Sequence, residues 1–131
     1  MFAAGAGVVL PVPGAQPAAE RLVVRSDGHV HLVRAEEIEW VESAGNYVWL
    51  HARGARLRMR ETMGGIGAQL DPKKFLRIHR CAIVNAEWVE RIEPAAGPAF
   101  RGEYTVYLRS GARLTMSRGH SAELAPLFQR N

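Results

Sequence analysis

Residues Ile38 to Ala52 read Ile-Glu-Trp-Val-Glu-Ser-Ala-Gly-Asn-Tyr-Val-Trp-Leu-His-Ala. Two strand-like runs, Ile38 to Ser43 and Asn46 to Ala52, are separated only by Ala44-Gly45. A break that short predicts two strands folded directly back on one another. The pattern continues on both sides. Arg53-Gly54 turns into Arg56 to Arg60, where Arg56, Arg58 and Arg60 fall on one face and Leu57 and Met59 on the other. Period-two alternation of this kind marks a half-buried strand. Upstream, Arg21 to Arg25 and Val30 to Arg34 flank Ser26-Asp27-Gly28-His29, and Asp-Gly supplies the backbone freedom that a hairpin needs. Late in the chain, Tyr104, Val106 and Leu108 share a face, Ser110-Gly111 turns, and Leu114 and Met116 continue the return strand.

Helical signals are few. Thr62 to Leu70 follows an N-cap candidate, places Met63, Ile66 and Leu70 on one side, and stops at Asp71-Pro72. Gly64, Gly65 and Gly67 each cost roughly 1 kcal/mol relative to alanine, so tertiary contacts must hold this helix. A second short helix is expected from Ser121 to Phe128, interrupted by Pro126. The stretch from Pro94 to Gly102 reads as a surface loop.

A length of 131 residues, 47% of them hydrophobic and 23% charged, suits one globular domain that folds without disulfide or metal. Cys81 is the single cysteine, which excludes an internal disulfide and fits a reducing cytoplasm. Met1 to Ala19 carries no charged side chain and is broken by Pro11 and Pro13. It lacks the basic start of a secretory signal and the length of a membrane span. Residues 1–20 are therefore expected to be a flexible leader or linker, and residues 21–131 the domain.

The net charge is +4, and its placement is uneven. Residues 51–80 hold Arg53, Arg56, Arg58, Arg60, Lys73, Lys74, Arg77 and Arg80 against Glu61 and Asp71, whereas Glu36, Glu37, Glu39 and Glu42 crowd an earlier stretch. Basic side chains near turns and on one strand face can neutralise phosphates and release counterions. A solvated strand face is the competing account.

Three segments carry a family resemblance. Ile38 to Val48 resembles the first signature of the LytTR family of bacterial DNA-binding domains. Phe75-Leu76-Arg77-Ile78-His79-Arg80-Cys81-Ala82-Ile83-Val84-Asn85 is similar to its central signature. The third is Tyr104 to Leu108, Ser110-Gly111 and Leu114-Thr115-Met116-Ser117-Arg118. Their order and spacing hold over roughly residues 21–128. The resemblance implies a mainly β fold, a LytTR-like β-β-β sandwich of small antiparallel sheets with one or two short helices. It implies loops laid into successive major grooves of double-stranded promoter DNA, often bending it and commonly at paired direct repeats. Most such domains are output modules of response regulators in two-component systems, so either a receiver or sensor domain or protein stands upstream, or the intact protein is controlled by something else. No cofactor, metal, small-molecule substrate or membrane contact is expected.

Carried over by position, Asn46, Arg80 and Arg118 are the candidates for reading bases. A guanidinium fork can reach O6 and N7 of guanine together. His79, Ser117 and the backbone N–H groups of Gly45 and Gly119 suit phosphates, and Lys74 and Arg58 are more generic phosphate partners. Structural alternatives stand beside these roles. Asn46 could occupy a left-handed turn position, and Arg77 could pair with Glu42 and pin two strands. Trp40, Tyr47 and Trp49 are expected in the core or in packing, and Asn85 is expected to cap a turn. Position 81 more often carries serine in the family; here its thiol is a poorer phosphate ligand, and its oxidation is a candidate switch.

Other classes fare worse. His79 with Cys81, two residues apart on a strand, lacks the base-oriented arrangement that a covalent nucleophile requires. His29 and His31 share a strand face but have no third ligand in the sequence pattern. No glycine-rich phosphate loop appears. Catalysis is not expected, and the remaining alternative is a β-module that binds protein or RNA.

Overall fold

The computed structural model describes residues 20–97 and 102–120. Strands β1 (Arg21–Ser26) and β2 (His29–Arg34) form a hairpin. Asp27 and Gly28 at its tip have φ of 54° and 79°, the paired left-handed geometry whose twist matches the flanking strands. A 3-10 turn, Ala35–Glu37, leads into a meander of β3 (Ile38–Ala44), β4 (Tyr47–Ala52) and β5 (Ala55–Met59). The β3–β4 turn is Gly45-Asn46, one residue later than expected. Gly45 carries the left-handed backbone, φ 66°, that a two-residue connection requires.

Helix α1 (Met63–Gln69) starts one residue later than expected, because Thr62 is itself the cap, its hydroxyl accepting from Gly65 N–H at 2.9 Å. It buries Met63 and Ile66, with Leu70 just beyond its end. Next come β6 (Phe75–His79) and β7 (Ala82–Asn85). A second 3-10 turn, Ala86–Trp88, follows, and then β8 (Val89–Pro94), β9 (Tyr104–Leu108) and β10 (Arg113–Met116). Asn85 caps its turn as expected, accepting from Glu87 N–H at 3.0 Å and donating to the Ile38 carbonyl at 2.9 Å.

The strands make three antiparallel sheets: β1-β2, β5-β4-β3-β7-β6 and β10-β9-β8. Alternation along the five-stranded sheet divides its side chains between two cores. One face sends Val41, Val48, Leu50, Met59 and Ile83 against Leu22, Val24 and Val33 of the hairpin and against α1. The other sends Leu76, Ile78, Ala82 and Val84 against Val106, Leu108, Leu114 and Met116 of the third sheet. The mainly β sandwich of small sheets is thus observed, with the large sheet in the middle.

Strand β8 has no counterpart in the sequence reading. Its register shifts between Val89 and Arg91, so Val89 and Ile92 lose the period-two spacing that would have marked it. The aromatic residues are packing residues rather than deep core. Trp40 borders the second core and stacks on His51 at 4.2 Å, while Tyr47 and Trp49 are half-buried on the same side of the sheet. The expected leader up to Ala19, the helix from Ser121 to Phe128 and part of the Pro94–Gly102 loop lie outside the described residues.

Candidate nucleic-acid interface

Two backbone hydrogen bonds beyond the ladders bring three turns to one pole. Strand β3 stays beside β7 past the end of β7, with Ser43 N–H donating to the Cys81 carbonyl at 3.0 Å. The end of β10 docks on the end of β6, with Ser117 N–H donating to the Ile78 carbonyl at 2.9 Å. The Gly45-Asn46 turn, the His79-Arg80-Cys81 loop and the Ser117-Arg118-Gly119 segment therefore lie together, although more than seventy positions separate the first from the last.

At the first turn, Gly45 rather than Asn46 takes the positive φ. The left-handed role considered for Asn46 is therefore filled by its neighbour, and the Asn46 side chain is exposed.

The central loop is held from within. The Arg77 guanidinium donates from Nε to the His79 carbonyl at 2.9 Å and from Nη2 to the Arg80 carbonyl at 2.8 Å. The expected Arg77–Glu42 pair does not form; Glu42 meets His51 Nε2 at 2.9 Å instead. The β6–β7 register shift between Arg77 and His79 turns the loop so that its carbonyls, rather than a neighbouring carboxylate, face the fork. His79 Nδ1 accepts from Cys81 N–H at 3.1 Å. In the neutral ring that acceptor role leaves the proton on Nε2, which is the form able to donate to a phosphate. The Arg80 and Cys81 side chains are exposed.

In the third segment the Ser117 hydroxyl and His120 Nδ1 share a hydrogen bond of 2.8 Å, and His120 N–H donates to the Ser117 carbonyl at 2.9 Å. Arg118 and Gly119 are exposed at its tip. Gly102, at φ 83°, backs onto Arg118: a Cβ there would stand 3.1 Å from the Arg118 Cβ. Sequence reading missed both Gly102 and the loop-holding role of Arg77. The Arg-x-His-Arg spacing shows which residues precede the loop but not which carbonyls they reach.

The generic phosphate candidates separate. Arg58 lies on the outer face of β5 with its guanidinium 4.7 Å from the Tyr47 ring centroid, close to the Asn46 turn. Lys74 lies at the opposite pole, where its carbonyl accepts from Ala86 N–H at 2.7 Å. Five residues of extended chain, about 17 Å, separate it from His79. The His29 and His31 ring centroids are 6.2 Å apart, and no group of three metal-ligating side chains occurs among the described residues.

A family model described as the LytTr DNA-binding domain matches residues 28–129. The chain is 30% identical over 68 residues to the sensory transduction protein LytT of Bacillus subtilis, covering 52% of this chain and 27% of that protein. It is 22% identical over 99 residues to the transcriptional regulatory protein LytR of Staphylococcus aureus, covering 76% of this chain and 39% of that protein. The chain thus spans well under half the length of these relatives. Among solved structures, a LytTr DNA-binding domain from a Bacillus cereus response regulator superposes with a TM-score of 0.74 at 15% identity, covering 86% of this chain and 99% of that one.

Proposed function

Because the chain belongs to the LytTR family of DNA-binding domains, we propose that it reads double-stranded DNA from the pole where its three loops meet. The observation that carries this reading is the joining of the loops by the Ser43–Cys81 and Ser117–Ile78 backbone hydrogen bonds. In this reading Asn46, Arg80 and Arg118 enter the major groove and address base edges, each arginine able to grip a guanine through two parallel hydrogen bonds. His79, Ser117 and the N–H groups of Gly45 and Gly119 hold phosphates and set the register, with Arg58 at the rim. Lys74, at the far pole, lies outside this footprint. The reading includes no catalytic step.

The kinship with LytT and LytR supports a wider role, the output domain of a bacterial transcriptional regulator in a two-component system. That role implies a receiver or sensor part upstream, paired direct repeats in the promoter, and action in the cytoplasm. No helix among the described residues is long and apolar enough to cross a membrane. Residues 21–131 would be the folded unit and 1–20 the lead-in. The exposed Cys81 thiol sits in the central loop. Oxidation there weakens binding in this reading, and unchanged affinity with Cys81 shown to be modified ends that part of it.

The test is selection of bound sequences from a random duplex library, repeated with Arg118→Ala. A paired short motif that loses definition at one position in the variant supports the reading. Binding without any motif, abolished by salt alone, would leave a basic β-module and bring RNA or protein partners forward.

A further inference from the structure

The outer face of β4 and β5 runs on from the loop pole past Arg58. On it the Arg56 guanidinium lies 4.0 Å from the Trp49 ring centroid, Arg58 4.7 Å from that of Tyr47, and Arg60 5.9 Å from the same Tyr47 ring. Alternation sets these side chains opposite Val48, Leu50 and Met59, which point into the first core. The third sheet packs on the β6–β7 part of this side, leaving Arg56, Arg58 and Arg60 exposed.

The row begins at the loop pole. Tyr47 directly follows Asn46, and Met59 pairs with Val48, so Arg60 stands beside the Asn46 turn. Arg58 and Arg56 follow along β5 at intervals of about 6.8 Å. That interval is of the order of the through-space separation of neighbouring phosphates on one strand, which exceeds the roughly 3.4 Å axial rise per nucleotide because the strand winds around the axis.

No carboxylate among the described residues pairs with these three arginines, whereas Arg34, Arg53 and Arg91 are each paired with a glutamate. Glu42, inboard on the same face, is hydrogen-bonded to His51. Stacking on a ring fixes a guanidinium without using its N–H donors, which stay available to an anion. Charged side chains on an edge strand also deter strand-to-strand aggregation, but that role needs no aromatic platform beneath them.

We propose that the DNA backbone flanking the bases read by the loops lies along Arg60, Arg58 and Arg56, so that the duplex is held on two surfaces of the domain. This rests on the reading of the loop pole as the base-contacting site. It adds that the duplex must turn from that pole onto the side of the sheet. Neighbouring phosphates of one strand then meet successive guanidiniums.

The experiment uses the selected site in two duplexes, one ending at the site and one extended by about ten base pairs at each end. Affinity is measured between 50 and 200 mM salt for wild type and for Arg56→Ala, the arginine farthest from the loop pole. Each phosphate contact contributes about 0.9 to the log-log salt slope, so losing one lowers it by about 0.9. The expected result is that this loss, and a several-fold weaker affinity, appear on the extended duplex alone. The short duplex is bound as by wild type, and thermal unfolding is unchanged.

Equal behaviour of wild type and variant on both duplexes overturns the flanking path while leaving base reading by the loops intact. An equal loss on both also overturns it, because Arg56 then contacts the site itself. Failure of the wild type to bind either duplex removes the parent reading and this one together.

Discussion

The two poles of the molecule use the same residue types for opposite ends. At the pole away from the loops, cations and polar side chains are consumed in holding the sheets together. Arg53 bonds Glu37 at 3.0 Å and the Leu32 carbonyl at 3.0 Å, Arg34 bonds Glu36, and Trp88 Nε1 donates to the Glu36 carbonyl at 3.3 Å. Buried Asn85 spans the Ile38 carbonyl and Glu87 N–H. At the loop pole the bonds run inward as well, but they satisfy the loop backbones through Arg77, His79 and Ser117. The tips bearing Asn46, Arg80 and Arg118 stay exposed. One pole spends its chemistry on the fold, and the other spends only enough to fix the shape of what it presents.

Four substitutions test that contrast, from the largest expected effect to the smallest. Asn85→Ala leaves a buried carbonyl and an N–H without partners and should cost on the order of 2–4 kcal/mol of stability. Denaturant melts would measure it, and the preferred DNA sequence of the surviving folded fraction should be unchanged. A shifted preference would mean that the poles are coupled.

Arg118→Ala should cost about 1–3 kcal/mol on the cognate site and little on random DNA, with the same melting curve as wild type. Equal losses on both sequences would make Arg118 a phosphate clamp. Arg77→Met keeps the aliphatic stem but removes both loop bonds. The expected loss is about 1–2 kcal/mol in cognate binding, with blurring at the base addressed by Arg80. Full affinity in that variant would show that the loop holds its shape without the fork. Arg53→Ala, at the far pole, removes an exposed ion pair and should change stability by less than about 1 kcal/mol. Titrated against DNA it should bind as wild type, and a clear loss would place the far pole in the interface.

Much of the local structure was legible. The Asp27-Gly28 turn, the alternation of Arg56 to Arg60 and the Asn85 cap follow from side-chain chemistry within a few residues. Strand β8 was not legible, because a bulge breaks its alternation and its charged residues read as loop. The site residues were nameable through the resemblance, yet their supports were not. Gly102 behind Arg118 and Arg77 beneath the central loop show themselves only once strands distant in sequence are in place.

What the sequence determined by itself is where strands run, which of their side chains face inward, and where the chain reverses. Those properties depend on φ, ψ and periodicity over a handful of residues. Only the tertiary structure decided which turns share a pole. Alternation tells a strand its two faces but not its neighbours. The β3–β7 pairing joins Trp40 to Val84, and the β10–β6 contact joins Ser117 to Ile78. Both are selected by burial of the two cores, through contacts far apart along the chain.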